Sequence, residues 1–148
     1  MGASEIPSEI AVEGQRPLKA KSEVREFLAT AEAAVLIVDN YVGPGTLDCI
    51  VDVSQPVRIL TGSRDESMGS GFDRALADSA SEGLTVEVRL HPKLHDRYLL
   101  FNDRCWLVGS SLKDDGRKHL SIVECVDSKA AIASDVEAKW QEATPYTP

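Results

Sequence analysis

No apolar run in this sequence approaches the roughly 20 residues that a membrane-crossing helix requires. The first residues, Met1 to Glu13, are acidic and small. They lack the basic start and apolar stretch of a secretory signal. Cysteine is scarce: Cys49, Cys105 and Cys125 are the only three. They sit in apolar runs such as Cys49-Ile50-Val51 and Cys105-Trp106-Leu107, and none belongs to a CxxC pair. The spacing therefore excludes a structural zinc site, and an odd number of core-like thiols suits a reducing compartment. Buried reduced thiols and a cytoplasmic location are the expectation. Excess positive charge is also missing, since the net charge is −8. That balance argues against an indiscriminate nucleic-acid binder. With no basic amphipathic helix, it argues against a membrane-surface role as well.

What is present is the material of one soluble domain. The 148 residues are 43% hydrophobic and 27% charged, enough to bury a sizeable core. The charge is unevenly spread. From Val88 to His119 there are seven Lys or Arg against four Asp, and all three histidines fall in the same window. The rest of the chain holds nine bases against twenty acids. A locally basic segment in an acidic protein is a candidate anion site.

Periodicity organises the chain. Residues 1–18, with Pro7, Gly14 and Pro17, show none and read as a flexible lead-in. The domain proper is expected over 19–144, with 145–148 a frayed end. Val24, Phe27, Leu28 and Ala31 recur at helical spacing between Lys19 and Glu32. Ala34 to Val38 is a continuous, mostly β-branched run that suits a strand covered on both faces. A loop at Gly43-Pro44-Gly45, a short helix over Thr46 to Val53 and a strand over Val57 to Leu60 follow. Phe72, Ala75, Leu76 and Ser79 mark another helix, and Leu84 to Leu90 alternates as a strand does. This α-β-α-β-α-β order predicts a mainly parallel sheet with right-handed crossovers. After it, Tyr98 to Phe101 and Cys105 to Val108 flank Asn102-Asp103, a hairpin signal. A strand from His119 to Val126 and a Ser128-capped helix bearing Ile132, Val136 and Trp140 complete the α/β pattern.

The chemistry concentrates between His91 and His119. His95 and Arg97 stand two apart, the spacing that puts two residues on one strand face. A histidine beside a permanent cation suits a phosphate: the guanidinium holds oxygens while imidazole attacks phosphorus or moves a proton. Lys93, Ser110, Ser111 and Lys113 add donors around Gly109, where backbone can approach a ligand closely. Ligands in open α/β sheets collect beyond the carboxyl ends of strands. Asp39 and Tyr41, just past the first predicted parallel strand, are therefore candidates for the same cleft. Lys118 is read as a rim cation. Glu124, a charge within an apolar strand, must either be paired or face water. His91 precedes Pro92 and reads as a loop residue, and His119 as the start of a strand.

The stretch His95-Asp96-Arg97-Tyr98-Leu99-Leu100-Phe101-Asn102 resembles the phospholipase D superfamily signature, HxKxxxxD followed by a GSxN-like segment. Val35 to Tyr41 and Gly109-Ser110-Ser111-Leu112-Lys113-Asp114-Asp115-Gly116 resemble a subgroup in which the signature reads HDR. The likeness spans roughly Ala33 to Trp140. It implies a phospholipase D-like half-domain, with a mixed, mainly parallel sheet flanked by helices. It also implies that His95 forms a phosphohistidine or protonates the leaving group, that Arg97 stands at the phosphate-binding lysine, and that Ser110 is the motif serine. The motif aspartate falls on Asn102, with Asp103 one residue later, and the motif asparagine falls on Leu112. Family chemistry uses no metal and no other cofactor. Its sites combine two such motifs, so a chain with one implies a homodimer.

Two functions fit these residues. One is a metal-independent phosphodiesterase acting on nucleic acid or another phosphodiester. The other is a catalytically inactive module of the same fold that dimerises and binds a phosphate-bearing ligand or a protein partner.

Overall fold

A computed structural model describes residues 6–62, 68–110, 112 and 119–148. Ser111, Lys113 and Lys118 lie outside the described residues. Eight strands form one sheet: β1 (Glu9–Val12), β2 (Val35–Val38), β3 (Val57–Thr61), β4 (Val86–Leu90), β5 (Tyr98–Phe101), β6 (Arg104–Val108), β7 (Leu120–Glu124) and β8 (Thr144–Pro145). Four helices accompany them: α1 (Pro17–Ala29), α2 (Pro44–Asp48), α3 (Gly69–Ser81) and α4 (Lys129–Glu142). Across the sheet the order is β1-β7-β6-β5-β2-β3-β4-β8.

The sheet is mostly antiparallel, which corrects the expectation of a mainly parallel one. Only β2–β3 and β3–β4 run parallel, against five antiparallel pairs. The βαβ alternation does produce its parallel unit, with α2 and α3 as the crossovers. The β5–β6–β7 meander then adds antiparallel strands on one side. Both sheet edges are formed by segments whose sequence carries no clear period. Glu9–Val12 pairs with β7 and buries alternate residues, so 6–18 is not a free lead-in. Thr144–Pro145 pairs with β4. Tyr146 then packs edge-on against Phe72 and hydrogen-bonds Asp73, so the chain end is held rather than frayed.

The β2 run Val35-Leu36-Ile37-Val38 is buried at every position, because each sheet face has its own cover. On one side Val35 and Ile37 join Phe27, Leu28, Phe72 and Trp106 in the larger core. On the other side Leu36 and Val38 join Leu60, Val136 and Trp140. Helices α1, α2 and α3 thus cover one face and α4 the other. Phe27 meets Trp106 edge-on at 4.8 Å, and Phe101 stacks on Trp106 at the same spacing. Among the described residues no helix is long and apolar enough to cross a membrane.

Candidate active site

Strand direction decides which residues meet. The carboxyl ends of β2, β3, β4 and β6 and the amino ends of β5 and β7 lie at the same end of the sheet, because β5 and β7 run against their neighbours. That end gathers Asp39, Asn40, Tyr41, Gly62, His91, Lys93, His95, Arg97, Gly109, Ser110 and His119.

Asp39 is its fixed point. The residue is 1% exposed, yet its carboxylate oxygens accept the Tyr41 N–H at 2.9 Å and the Leu112 N–H at 3.4 Å. Arg97 Nε, itself out of solvent, lies 3.6 Å from Asp39 Oδ1. A buried carboxylate needs such partners. Arg97 therefore neutralises Asp39, and Leu112, at the position of the motif asparagine, contributes its backbone N–H and a buried side chain.

His95 sits in the loop before β5, not on the strand. It is exposed and lines a cleft of about 90 Å³ with Leu94, Asp96, Tyr98 and Val38, closed on the far side by Asp135, Val136 and Lys139 of α4. Lys139 reaches Asp135 at 3.0 Å, one helical turn earlier. Tyr98 donates to Asp96 at 3.2 Å. Burial first, then the charge of Asp96, pushes the Tyr98 hydroxyl up to about 12, so it stays a donor near neutrality. The cleft thus offers an imidazole, an ammonium and a phenol beside two carboxylates.

Two residues that the motif does not include hold the His95 loop. Asn40 donates through Nδ2 to the Leu94 carbonyl at 2.9 Å. Gly62 makes room for Asn40: a Cβ at Gly62 would come within 2.4 Å of Asn40 Oδ1 and 3.0 Å of its backbone oxygen. The other histidines differ from His95. His91 is buried. Its Nδ1 accepts the Lys93 N–H at 3.1 Å, so Nε2 carries the proton donated to Glu142 at 3.0 Å. His119 and Lys93 are exposed, Ser110 is half-buried, and Tyr41 is 49% exposed.

Asn102, Asp103 and Glu124 lie at the opposite end of the sheet. Four strand residues separate Asn102 from Arg97, roughly 16 Å of extended chain. Asn102 and Asp103 adopt φ of 51° and 58°, the turn geometry of a two-residue hairpin. Asn102 Oδ1 accepts the Glu32 N–H at 2.8 Å, tying the turn to the approach to β2. Both residues line a separate cavity of about 230 Å³ with Arg58, Arg104 and Lys129. Glu124 forms a two-pronged pair with Arg104 at 2.8 and 2.9 Å, which lowers the Glu124 pKa. Glu124 therefore orients the Arg104 guanidinium. Among the described residues no group of three or more His, Cys, Asp or Glu is placed to hold a metal ion.

Solved structures share this fold. One is TrmBL2, described as an archaeal chromatin protein with a novel mode of DNA binding. It superimposes with a TM-score of 0.60 at 16% identity, over 99% of this chain and 56% of that one. Another is NucT from Helicobacter pylori, with a TM-score of 0.66 at 10% identity, over 94% of this chain and 98% of that one. The fold is shared. The chain spans about half the length of TrmBL2 and nearly the whole of NucT. At these identities the likeness establishes architecture alone. No family model matches the chain, and no curated protein matches it.

Proposed function

We propose that the chain is a phospholipase D-like domain acting as a metal-independent phosphodiesterase on nucleic acid, with His95 as its nucleophile or general acid. The observation that carries this reading is an exposed imidazole at the strand-end cleft, with Lys139 lining the far side of the same cleft. The NucT-like architecture and a DNA-binding protein of the same fold support it. In this scheme one imidazole attacks phosphorus. The ester oxygen leaves with a proton from a second imidazole, and water then hydrolyses the phosphohistidine. A single chain supplies one His95, so the scheme requires a homodimer that brings two together. Lys93 and Ser110, at the same end of the sheet, are the remaining phosphate donors among the described residues. Lys113 and Ser111 are proposed for the same role from the motif alone.

A second reading rests on a different observation. Arg97 is committed to Asp39 and Leu112 is buried, so two motif positions serve the fold. A module that dimerises and binds a phosphate-bearing ligand or a protein partner needs no more than this.

The test is hydrolysis of single-stranded DNA, RNA and a generic phosphodiester in excess EDTA. Wild type is expected to cleave, and His95→Ala to lose at least about a thousandfold. Equal activity in both proteins would overturn the catalytic role of His95. Absence of turnover together with retained single-stranded DNA binding would favour the binding module.

A further inference from the structure

The β6–β7 ladder ends on two thiols. Trp106 faces Glu124 in the register, so antiparallel pairing sets Cys105 directly opposite Cys125. The Cys125 N–H donates to the Cys105 carbonyl at 2.8 Å. Residues facing each other across such a pair project to the same side of the sheet. In a hydrogen-bonded pair their Cα atoms stand about 5.5 Å apart, inside the span of roughly 4.4 to 6.8 Å that a disulfide bridges. The Cys125 thiol donates to the Val123 carbonyl at 3.9 Å. Burial pushes the Cys105 thiol up to about 12, and the facing Cys125 adds to the rise by charge and by a thiol hydrogen bond. Cys105 is fully buried, whereas Cys125 is half-buried beside the exposed Val126. One thiol is sealed and its partner is open to small reagents.

We propose that Cys105 and Cys125 form a reversible cross-strand disulfide when the protein meets a peroxide. The Cys125 sulfur attacks the peroxide O–O bond, giving a sulfenic acid, and the departing hydroxide takes up the thiol proton to leave as one water. The Cys105 sulfur then displaces the sulfenic oxygen, which leaves as a second water carrying the Cys105 proton. Two thiols are oxidised by two electrons and one hydrogen peroxide is reduced to two waters. Closure is slow, because a thiol held near 12 supplies little thiolate at neutral pH.

The bond would close a defined unit. The chain between the two cysteines carries Gly109, Ser110 and His119 at its far end, on the His95 side of the sheet. Its base adjoins the Arg104–Glu124 pair and the turn that leads into α4 at Lys129. Oxidation ties this segment and the start of α4 to β6 at one point. The proposal does not depend on phosphodiester chemistry at His95.

The experiment treats the folded chain with hydrogen peroxide, blocks remaining thiols with iodoacetamide and maps the digest by mass spectrometry. The expected result is a Cys105–Cys125 linked peptide that dithiothreitol releases, with Cys49 alkylated after unfolding. The oxidised protein should also melt on the order of 5–10 °C higher. Cys125→Ser should abolish the link and, at a half-exposed site, leave the fold intact. In Cys105→Ser, Cys125 should stop at a dimedone-reactive sulfenic acid. Should Cys105→Ser fail to fold, the mapping and Cys125→Ser still decide the matter. Oxidation of Cys125 alone in the wild type, with Cys105 still alkylatable after unfolding, would overturn the proposal. So would a link through Cys49.

Discussion

At the residue scale, burial separates residues that hold the protein from residues open to solvent. Asp39 and Arg97 are motif-associated, yet their environment is structural: a nearly solvent-free carboxylate with two N–H donors and a guanidinium. Asp39→Ala removes the acceptor and leaves those groups unsatisfied, which should cost about 2–4 kcal/mol in urea unfolding. Lys139→Ala touches only a partly exposed ion pair with Asp135, so stability should change by less than about 0.5 kcal/mol. If the cleft takes phosphate, the same substitution should raise KM on a phosphodiester several-fold, and a salt titration of binding should lose slope. Glu124 carries a pH dependence whose sign follows from its pair. Arg104 lowers its pKa in the folded state, so the unfolded chain takes up the proton first as pH falls. The stabilisation is complete above the unfolded value of about 4.3 and is lost as pH drops through the lower folded value. Glu124→Gln should flatten the decline in stability below about pH 5 in acid unfolding followed by circular dichroism.

At the element scale, the hairpin and the loop before β5 make opposite predictions about activity. Asn102 and Asp103 hold positive φ in a two-residue turn, where glycine at the second position is preferred. Asp103→Gly should stabilise the protein by about 0.5–1 kcal/mol and leave cleavage unchanged. A loss of activity on this substitution would restore Asp103 to the site. Asn40 bridges the end of β2 to the Leu94 carbonyl, one residue before His95. Asn40→Ala and Gly62→Ala should both loosen that loop. The expected reading is a larger fall in kcat than in melting temperature, because the imidazole loses its position while both cores stay packed. The spacing of His95 and Arg97 suggested a shared strand face. The structure begins β5 at Tyr98 instead, which frees His95 to line the α4 cleft while Arg97 is held at Asp39.

At the scale of the whole molecule, the chain carries one copy of the motif and a net charge of −8 with a locally basic segment. A two-imidazole mechanism therefore makes activity second order in protein when dimerisation is weak. Sedimentation should show a dimer at concentrations where cleavage is observed, and specific activity should fall on dilution below the dissociation constant. Addition of excess His95→Ala chain should poison wild-type activity by forming mixed dimers. Monomeric protein with full specific activity would exclude the shared site.

The sequence by itself determined most of the elements. Helical and strand periods located α1, β2, β3, α3, β4, the hairpin, β7 and α4 within a few residues, because each buries an apolar face that local spacing records. The histidines and cations clustered between Val88 and His119 include His95, Lys93 and sequence neighbours of Ser110, and strand direction places His95, Lys93 and Ser110 at one end of the sheet. Tertiary structure decided the rest. The edge strands Glu9–Val12 and Thr144–Pro145 are defined by their pairing partners, and such short segments carry little period of their own. Strand direction, not sequence distance, sent Asn102, Asp103 and Glu124 to the far end. Long-range packing brought Lys139 and Asp135 to His95, and Cys125 to Cys105. Those contacts join residues tens of positions apart, and only the register of a folded sheet and the seating of a helix upon it bring them together.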